Sequence, residues 1–385
     1  MVKKLKIAYL SASDPRDKKV WSGTHFSIYN TLNKYSGEVI SLGPYEPKLA
    51  SLIGKILTGI SQLILKKRYN YRHSHLLAKA YAKYFNKKLK EQNFDVIIAP
   101  AAVCELAYIK TSLPIVYISD ATINLSLNYH KSLSGLLSLS EKETRKIERL
   151  AFDNCSKIIV SSDWALKSLI NDYQLPTNKI KKLPFGANMA LLPSPQEVKN
   201  KSTTDVLRLL FIGVYWESKG GYIAYNCLLE LIKLGINAEL TVCGCIPPVE
   251  FKHEKLKIIP FINKNSTEGM KQLYDVFMHH DVLILPTRFD CTPIVICEAS
   301  AFAMPCFIAN TGGVGGHLHE SKNGYLIDYN DTGRGYANKI AKVFSDKETF
   351  NCLKITTREE FDKSLNWDKY GEELNNIIHT ILPNG

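Results

Sequence analysis

Short runs of isoleucine, valine and leucine recur along the chain, each separated from the next by enough residues for a helix. The first half supplies Ile7–Leu10, Val39–Leu42, Val96–Ile98, Ile115–Ile118 and Ile158–Val160. The second half supplies Leu207–Ile212, Ala238–Val242, Val282–Leu285, Pro305–Ile308 and Tyr325–Ile327. Strands alternating with helical patterns in this way predict an α/β fold of doubly wound sheets. No sequence repeat relates the halves. Between them, Leu183 to Asp205 carries Pro184, Pro193 and Pro195 among Ser, Thr, Asn and Lys, a linker composition. The expected organisation is a first domain over 1–190, a linker over 191–205, a second domain over 206–361 and a final segment over 362–385. In that segment Trp367, Tyr370, Leu374, Ile377, Ile378 and Ile381 fall at helical spacing. This last helix is expected to pack back on the N-terminal domain, although the pattern alone does not say which domain it covers.

One segment has a different character. Leu49, Leu52, Ile53, Ile56, Leu57, Ile60, Leu63 and Ile64 follow the helical period, with Lys55, Thr58 and Gln62 opposite. Lys66, Lys67 and Arg68 follow, and then a second helical pattern sets Arg72, Lys79, Lys83, Lys87 and Lys90 near one face and Leu76, Leu77, Ala80, Tyr84 and Leu89 on another. The net charge of the 385 residues is +12, and its excess lies in the first half: residues 1–200 hold 30 Lys and Arg against 15 Asp and Glu, the remainder 19 against 22. From Pro47 to Lys90 there are eleven basic residues and no acidic one. Each basic side chain close to an anionic leaflet contributes about 1 kcal/mol, so residues 47–90 are expected to dock on an anionic membrane surface, the inner face of the cell membrane. The alternative is that the helix packs on the N-terminal sheet and its lysines are simply solvated. A nucleic-acid partner is not expected, because no helix-turn-helix, RNP-type or zinc-finger pattern accompanies the charge. A membrane span is not expected either, since the best candidate, Leu49–Leu65, carries Lys55 and several polar residues.

Hydrophobic residues at 45% supply apolar mass for two cores. Nine cysteines without a CxxC pair, behind a basic N-terminus that reads as a first strand rather than a signal, point to reduced thiols and a cytoplasmic location. The densest chemical signal is Pro286-Thr287-Arg288-Phe289-Asp290-Cys291-Thr292-Pro293-Ile294-Val295, followed by Ile296 to Ser300. It reads as a buried strand ending in a turn that opens a helix, capped by Thr292 or Cys291 with Pro293 in the first turn. The amides of Thr292 to Val295 at the carboxyl edge of a sheet would form an anion site that suits a phosphate. Asp290 and Glu298, eight positions apart, could reach one ligand; alternatively Asp290 is a cap and Glu298 a solvated helix residue.

This run resembles the E-x7-E motif of the retaining GT-B glycosyltransferases of family 4, with Asp290 in place of the first Glu and Glu298 as the second. Phe211-Ile212-Gly213-Val214-Tyr215-Trp216-Glu217-Ser218-Lys219-Gly220-Gly221 is similar to that family's glycine and lysine-glycine element. Thr311-Gly312-Gly313-Val314, Asn323-Gly324-Tyr325-Leu326 and Leu365-Asn366-Trp367 are similar to its later motifs, in the same order. The resemblance implies two Rossmann-like domains facing across a cleft, with a nucleotide-sugar on the C-terminal domain and the acceptor on the N-terminal one. It implies that Lys219 binds the donor diphosphate, Glu298 the ribose hydroxyls and Asp290 the transferring sugar, beside Thr292, Pro293 and Ile294. The family's usual arginine after the first glycine is absent, Val214 standing there, and Arg288 is a candidate to replace it. In the N-terminal half, Ser22-Gly23-Thr24 looks like the family's glycine loop beside donor phosphates and acceptor. Asp120 sits where many members have a His-Asp pair, with Ser119 in the histidine's place, and is a candidate for positioning acceptor or sugar hydroxyls; its alternative is a helix cap. His130 is a further acceptor-side candidate.

No Asp-x-Asp pair is present, so no metal is expected to bridge the diphosphate, and no cofactor beyond the donor itself; a UDP-sugar is expected over a GDP-sugar. Cys243, Cys245, His279 and His280 lack zinc spacing to a second pair. The expected activity is hexosyl transfer with retention, from a nucleoside diphosphate sugar to a hydroxyl of a glycan or lipid-linked acceptor, in cell-envelope or surface polysaccharide synthesis. A nucleotide-sugar epimerase of the same fold and a non-catalytic nucleotide- or membrane-binding scaffold are the alternatives.

Overall fold

The computed structural model describes residues 4–201 and 205–382. The chain forms two compact units, one holding the residues up to Leu183 together with those from Tyr370 onward, the other Pro184–Lys369. Each is built on a six-stranded, wholly parallel sheet.

In the first unit the strands β1 (Leu5–Tyr9), β2 (Gly37–Ser41), β3 (Val96–Pro100), β4 (Ile115–Ser119), β5 (Lys157–Val160) and β6 (Ile180–Lys182) lie in the order β2-β1-β3-β4-β5-β6. β3 and β4 are buried at every position, as strands covered by helices on both faces must be, and that is why they read as unbroken apolar runs. The flanking helices are α1 (Thr24–Tyr35), α2 (Lys48–Leu65), α3 (His75–Lys88), α4 (Val103–Leu106), α5 (Ile123–Ser126), α6 (Ser138–Asn154) and α7 (Asp163–Asn171). The chain order reverses direction across the sheet between β1 and β3, which makes their carboxyl ends the place where such sheets take ligands.

The second unit begins with α8 (Pro195–Lys199) and continues through β7 (Leu207–Ile212), α9 (Gly221–Lys233), β8 (Ala238–Cys243), β9 (Leu256–Ile259), α10 (Thr267–Met278), β10 (Val282–Leu285), α11 (Val295–Ala301), β11 (Cys306–Ala309), β12 (Gly324–Ile327), α12 (Arg334–Ser345) and α13 (Lys347–Ser364). Its strand order is β12-β11-β10-β7-β8-β9, with the reversal between β7 and β10. α14 (Trp367–His379) closes the chain; its Gly371 lies against Thr31 and Tyr35 of α1, and Tyr370, Leu374 and Ile378 are fully buried.

Four expectations need correction. Residues 191–201 are not a linker between domains: they belong to the second unit, where Ser194 and Glu197 close a capping box on α8. Lys201 there is buried, its ammonium donating to the Phe277 carbonyl at 3.2 Å, and burial pushes its pKa down to about 7. The final segment is not one helix from 362, because α13 runs to Ser364 and α14 starts afresh at Trp367. β6 and β9, absent from the sequence reading, are edge strands. Finally, α2 turns its amphipathicity the opposite way from a core helix. Its buried residues are Ala50, Ser51, Gly54 and Ser61, with Gly54 pressed on Tyr71, while Leu49 is 72% exposed, Leu63 75% and Ile64 69%. The alternative in which these side chains pack on the sheet is therefore wrong. By length and composition alone α2 would also pass as a membrane-crossing helix, although it carries Lys48 and Lys55.

Candidate functional site

In the second unit three loops meet at the carboxyl ends of β7 and β10, where the strand order reverses. The first leaves β7 at Gly213 and reaches α9 through Lys219 and Gly220. Gly213 has no side chain because the Lys219 stem passes over it: a Cβ there would stand 2.9 Å from Lys219 Cγ. Gly220, with φ +74°, brings the loop so close to β10 that a Cβ would fall 2.0 Å from the Pro286 carbonyl oxygen. The Ser218 carbonyl accepts the Arg288 amide at 2.8 Å, tying this loop to the second one. The third loop joins through the Gly313 amide, which donates to the Asp290 carbonyl at 3.1 Å.

The side chains follow from that backbone. Lys219 Nζ lies 2.5 Å from Asp290 Oδ2, and the aspartate is almost wholly buried, so the two residues form one ion pair rather than the two separate contacts of the sequence reading. Asp290 is not a helix cap. Glu298 is buried too, on α11, and among the described residues only the ammonium of Lys264 approaches it as an ion partner, at 3.8 Å. The alternative in which Glu298 is a solvated helix residue fails. The capping expectation also needs correction: the residue preceding α11 is Ile294, in right-handed helical conformation, and the Thr292 hydroxyl donates to the Cys291 carbonyl. Thr292 and Pro293 are buried, and the Ile294 and Val295 amides meet no protein acceptor among the described residues. Arg288 is half-buried and stacks its guanidinium on Tyr329 at 3.5 Å from the ring centre.

Lys264 and Tyr329 were not singled out from the sequence. Tyr215 and Phe261, in the loops after β7 and β9, are 69% and 72% exposed. The later motif is structural. Asn323 is buried and donates to the His317 carbonyl and Ser300 hydroxyl while accepting from the His319 amide, bracing α11 against the start of β12. Among the described residues no group of three or more His, Cys, Asp or Glu is placed to hold a metal ion. His280 is buried against the Val276 carbonyl and held at about 4 by that burial.

The first unit places Ser22, Gly23, Thr24 and Asp120 near one another and His130 among other partners. Trp21 and Ser22 both have left-handed backbone, at φ 49° and 55°, ahead of Gly23 at φ 90°, and such conformations cost about 1–3 kcal/mol each in non-glycine residues. The Trp21 indole donates to Asp120 Oδ2 at 3.2 Å, so Asp120 is tied to this turn; the cap of α5 is Thr122 instead. Ser22 is exposed and Thr24 buried at the start of α1. His130 bonds Ser132 in the loop before α6, beside the charge of Arg68.

The sequence reading also missed Glu105. Its carboxylate accepts the Ala12 amide at 3.2 Å and lines a cavity of about 370 Å³ at the carboxyl ends of β1 and β3, with Ser13, Tyr45, Arg72 and Tyr81. Burial pushes its pKa from 4.5 up to about 7. Between those values the folded protein keeps a proton that the unfolded chain has released, so stability falls as pH rises through that window. Glu105→Gln keeps an oxygen for the Ala12 amide and removes the titration. Its melting temperature is expected to decline less between pH 5 and pH 7 than that of the unmodified chain, by the equivalent of up to about 3 kcal/mol; superimposable profiles would rule this out. Glu148, likewise pushed up to about 7 by burial, keeps its own share of the slope in both proteins.

Two Rossmann-like parallel sheets of this order define a GT-B fold. Solved structures of that class superpose over nearly the whole chain: a sucrose-phosphate synthase from Thermosynechococcus elongatus (TM-score 0.69, 12% identity, 98% of this chain and 99% of that one) and HepE of Anabaena in complex with UDP (TM-score 0.64, 14% identity, 98% and 100%). Residues 207–346 match the family model described as Glycosyl transferases group 1, and the three loops described above all lie within that segment. Among curated proteins, a D-inositol 3-phosphate glycosyltransferase of Corynebacterium jeikeium is 23% identical over 266 residues, covering 64% of this chain and 62% of its own length. The chain thus spans about three fifths of that relative.

Proposed function

We propose that this protein is a retaining glycosyltransferase that moves a hexose from a UDP-sugar to a hydroxyl of a glycan or lipid-linked acceptor in envelope or surface polysaccharide synthesis. The observation that carries the reading is the Lys219–Asp290 pair beside buried Glu298 at the β7/β10 reversal, inside the segment matching the family. Lys219 offsets the charge that builds on the departing nucleoside diphosphate, an interaction worth more in the reaction than in the resting state. Asp290 holds that ammonium in place before donor binds and then meets sugar hydroxyls. Glu298 accepts the vicinal ribose hydroxyls, with Lys264 balancing its charge, and the Ile294 and Val295 amides face the phosphates. UDP is favoured because the structurally similar HepE is solved with UDP, and Tyr215 and Phe261 offer a surface for the base. With no side-chain nucleophile evident, a leaving-phosphate oxygen takes the acceptor proton as the two substrates are held together.

The acceptor side belongs to the first unit, at the Trp21–Asp120 turn with Ser22 and Thr24 and at the Glu105 cavity. The exposed apolar face of α2, flanked by the basic residues of 47–90, lies in an anionic membrane surface on the cytoplasmic side. Thermal melting tests the donor reading: a UDP-sugar at about 100 times its dissociation constant raises the midpoint of the second unit by about 5–10 °C, GDP-sugars less. No shift with any nucleoside diphosphate sugar would remove the reading.

A further inference from the structure

Beside the outward face of α2 runs a groove of about 710 Å³. One wall is Leu57, Ile60, Ile64 and Leu65 of α2; the other carries Leu137 and Leu139 at the start of α6. Burying a leucine or isoleucine is strongly favourable, so two facing apolar walls that stay apart leave a hydrocarbon-shaped space between them. The polar groups at its margin are specific. Glu143 is engaged by two donors, the Tyr69 hydroxyl at 2.8 Å and the His75 amide at 2.7 Å. Lys142 and Lys146, one helical turn apart on α6 and both exposed, have no carboxylate partner among the described residues. The groove therefore joins an apolar channel to two cations available for an anion.

We propose that this groove binds a single phosphate-headed membrane lipid, its hydrocarbon chain between α2 and α6 and its phosphate on Lys142 and Lys146. Two features favour a lipid over a protein segment. The groove is continuous with the membrane-facing surface, since Leu57, Ile60 and Ile64 belong to both. The surrounding stretch, 47–90, is wholly basic among its charged residues and so complements an anionic headgroup. The inference rests on the membrane-facing reading of α2 and not on which sugar is transferred. Its functional meaning is that the protein draws one lipid partly out of the bilayer, which is how a lipid-linked acceptor would be taken up by a surface-bound enzyme.

The test uses the full chain and dodecyl phosphate below its micellar threshold, followed by isothermal calorimetry, with inorganic phosphate and dodecyl maltoside alongside. Saturable binding of dodecyl phosphate is expected, with both other compounds at least about tenfold weaker. Leu139→Glu, at an exposed wall position outside α2, and the double variant Lys142→Ala/Lys146→Ala each weaken it by about tenfold or more. Leu49→Glu/Leu52→Glu, on α2 but outside the groove, leaves it within about twofold while abolishing flotation with phosphatidylglycerol vesicles. Unchanged melting curves confirm that all variants fold. Equal binding by inorganic phosphate would make the site one for free anions, equal binding by the maltoside would make it a general apolar surface, and wild-type binding in the Leu139 and lysine variants would place the ligand elsewhere; each overturns the proposal. A dimer that Leu57→Glu dissociates would give the groove to a second copy of the chain and overturn it as well. Failure of the unmodified chain to float while dodecyl phosphate still binds would refute the bilayer reading of α2 and with it a membrane lipid as the occupant, and the UDP-sugar melting shift reports on donor binding independently of both.

Discussion

Lys219→Ala is expected to lower UDP release from the donor by about 10²–10³-fold, the usual cost of losing one preorganised group that stabilises transition-state charge. The ion pair makes the outcome richer than a simple loss of charge. Removing the ammonium takes that counter-charge from Asp290, which is almost wholly buried, while its carboxylate still faces the diphosphate. Donor affinity should fall together with turnover. The fold should lose on the order of 1–3 kcal/mol, less than a fully buried pair because Lys219 is a quarter exposed. Adding Asp290→Asn to the lysine variant separates the two effects: stability returns toward wild type, activity does not. Turnover within about tenfold of wild type in Lys219→Ala would sink the assignment of the site.

Gly220→Val is expected to be among the most damaging single changes in the second unit. The residue sits at φ +74°, and its missing Cβ would lie 2.0 Å from a backbone carbonyl of β10, an atom that cannot swing aside. Relief requires the Lys219 loop to move away from Pro286, which also breaks the Arg288 amide bond to the Ser218 carbonyl. A loss above about 3 kcal/mol and the disappearance of the UDP-sugar melting shift should follow. Gly235 supplies the comparison. Its φ is +78° but nothing lies within 4 Å of where a Cβ would be, so Gly235→Ala is expected to cost only about 1–2 kcal/mol of backbone strain and to leave donor binding intact. Equal destabilisation by the two substitutions would mean that the left-handed backbone, not the close approach, governs the loop.

The central strands were legible because burial on both faces leaves mainly apolar residues, as in Ile115–Ile118. The edge strands Ile180–Lys182 and Leu256–Ile259 were not, since one side of each has no strand neighbour and lysines interrupt the pattern. Helical periodicity identified α2 but left its orientation open between an outward apolar face and one packed on the sheet, because a stripe says only that a helix has two faces. Small residues at Ala50, Ser51, Gly54 and Ser61 were the readable counter-signal, because they allow close packing without bulk. At the candidate site, the family resemblance singled out Lys219, Asp290 and Glu298, whereas the pairing of Lys219 with Asp290 could not be read. Lys219 and Asp290 are 71 positions apart and meet only because β7 and β10 are neighbours in the sheet. Glu105 left no trace at all, as its burial comes entirely from the tertiary fold around an unremarkable glutamate.

The inverted α2 also governs how copies of the chain behave toward each other in dilute buffer. An 18-residue helix that keeps its leucines and isoleucines outside offers every molecule a sticky strip, and two strips meeting face to face would hide more oil from water than either does alone. What opposes that encounter is the mutual repulsion of the lysines and arginines crowded around the strip, and dissolved salt shortens its range. Colloidal shelf life, and with it the ionic strength at which the protein begins to clump, is thus written into the same stretch of sequence.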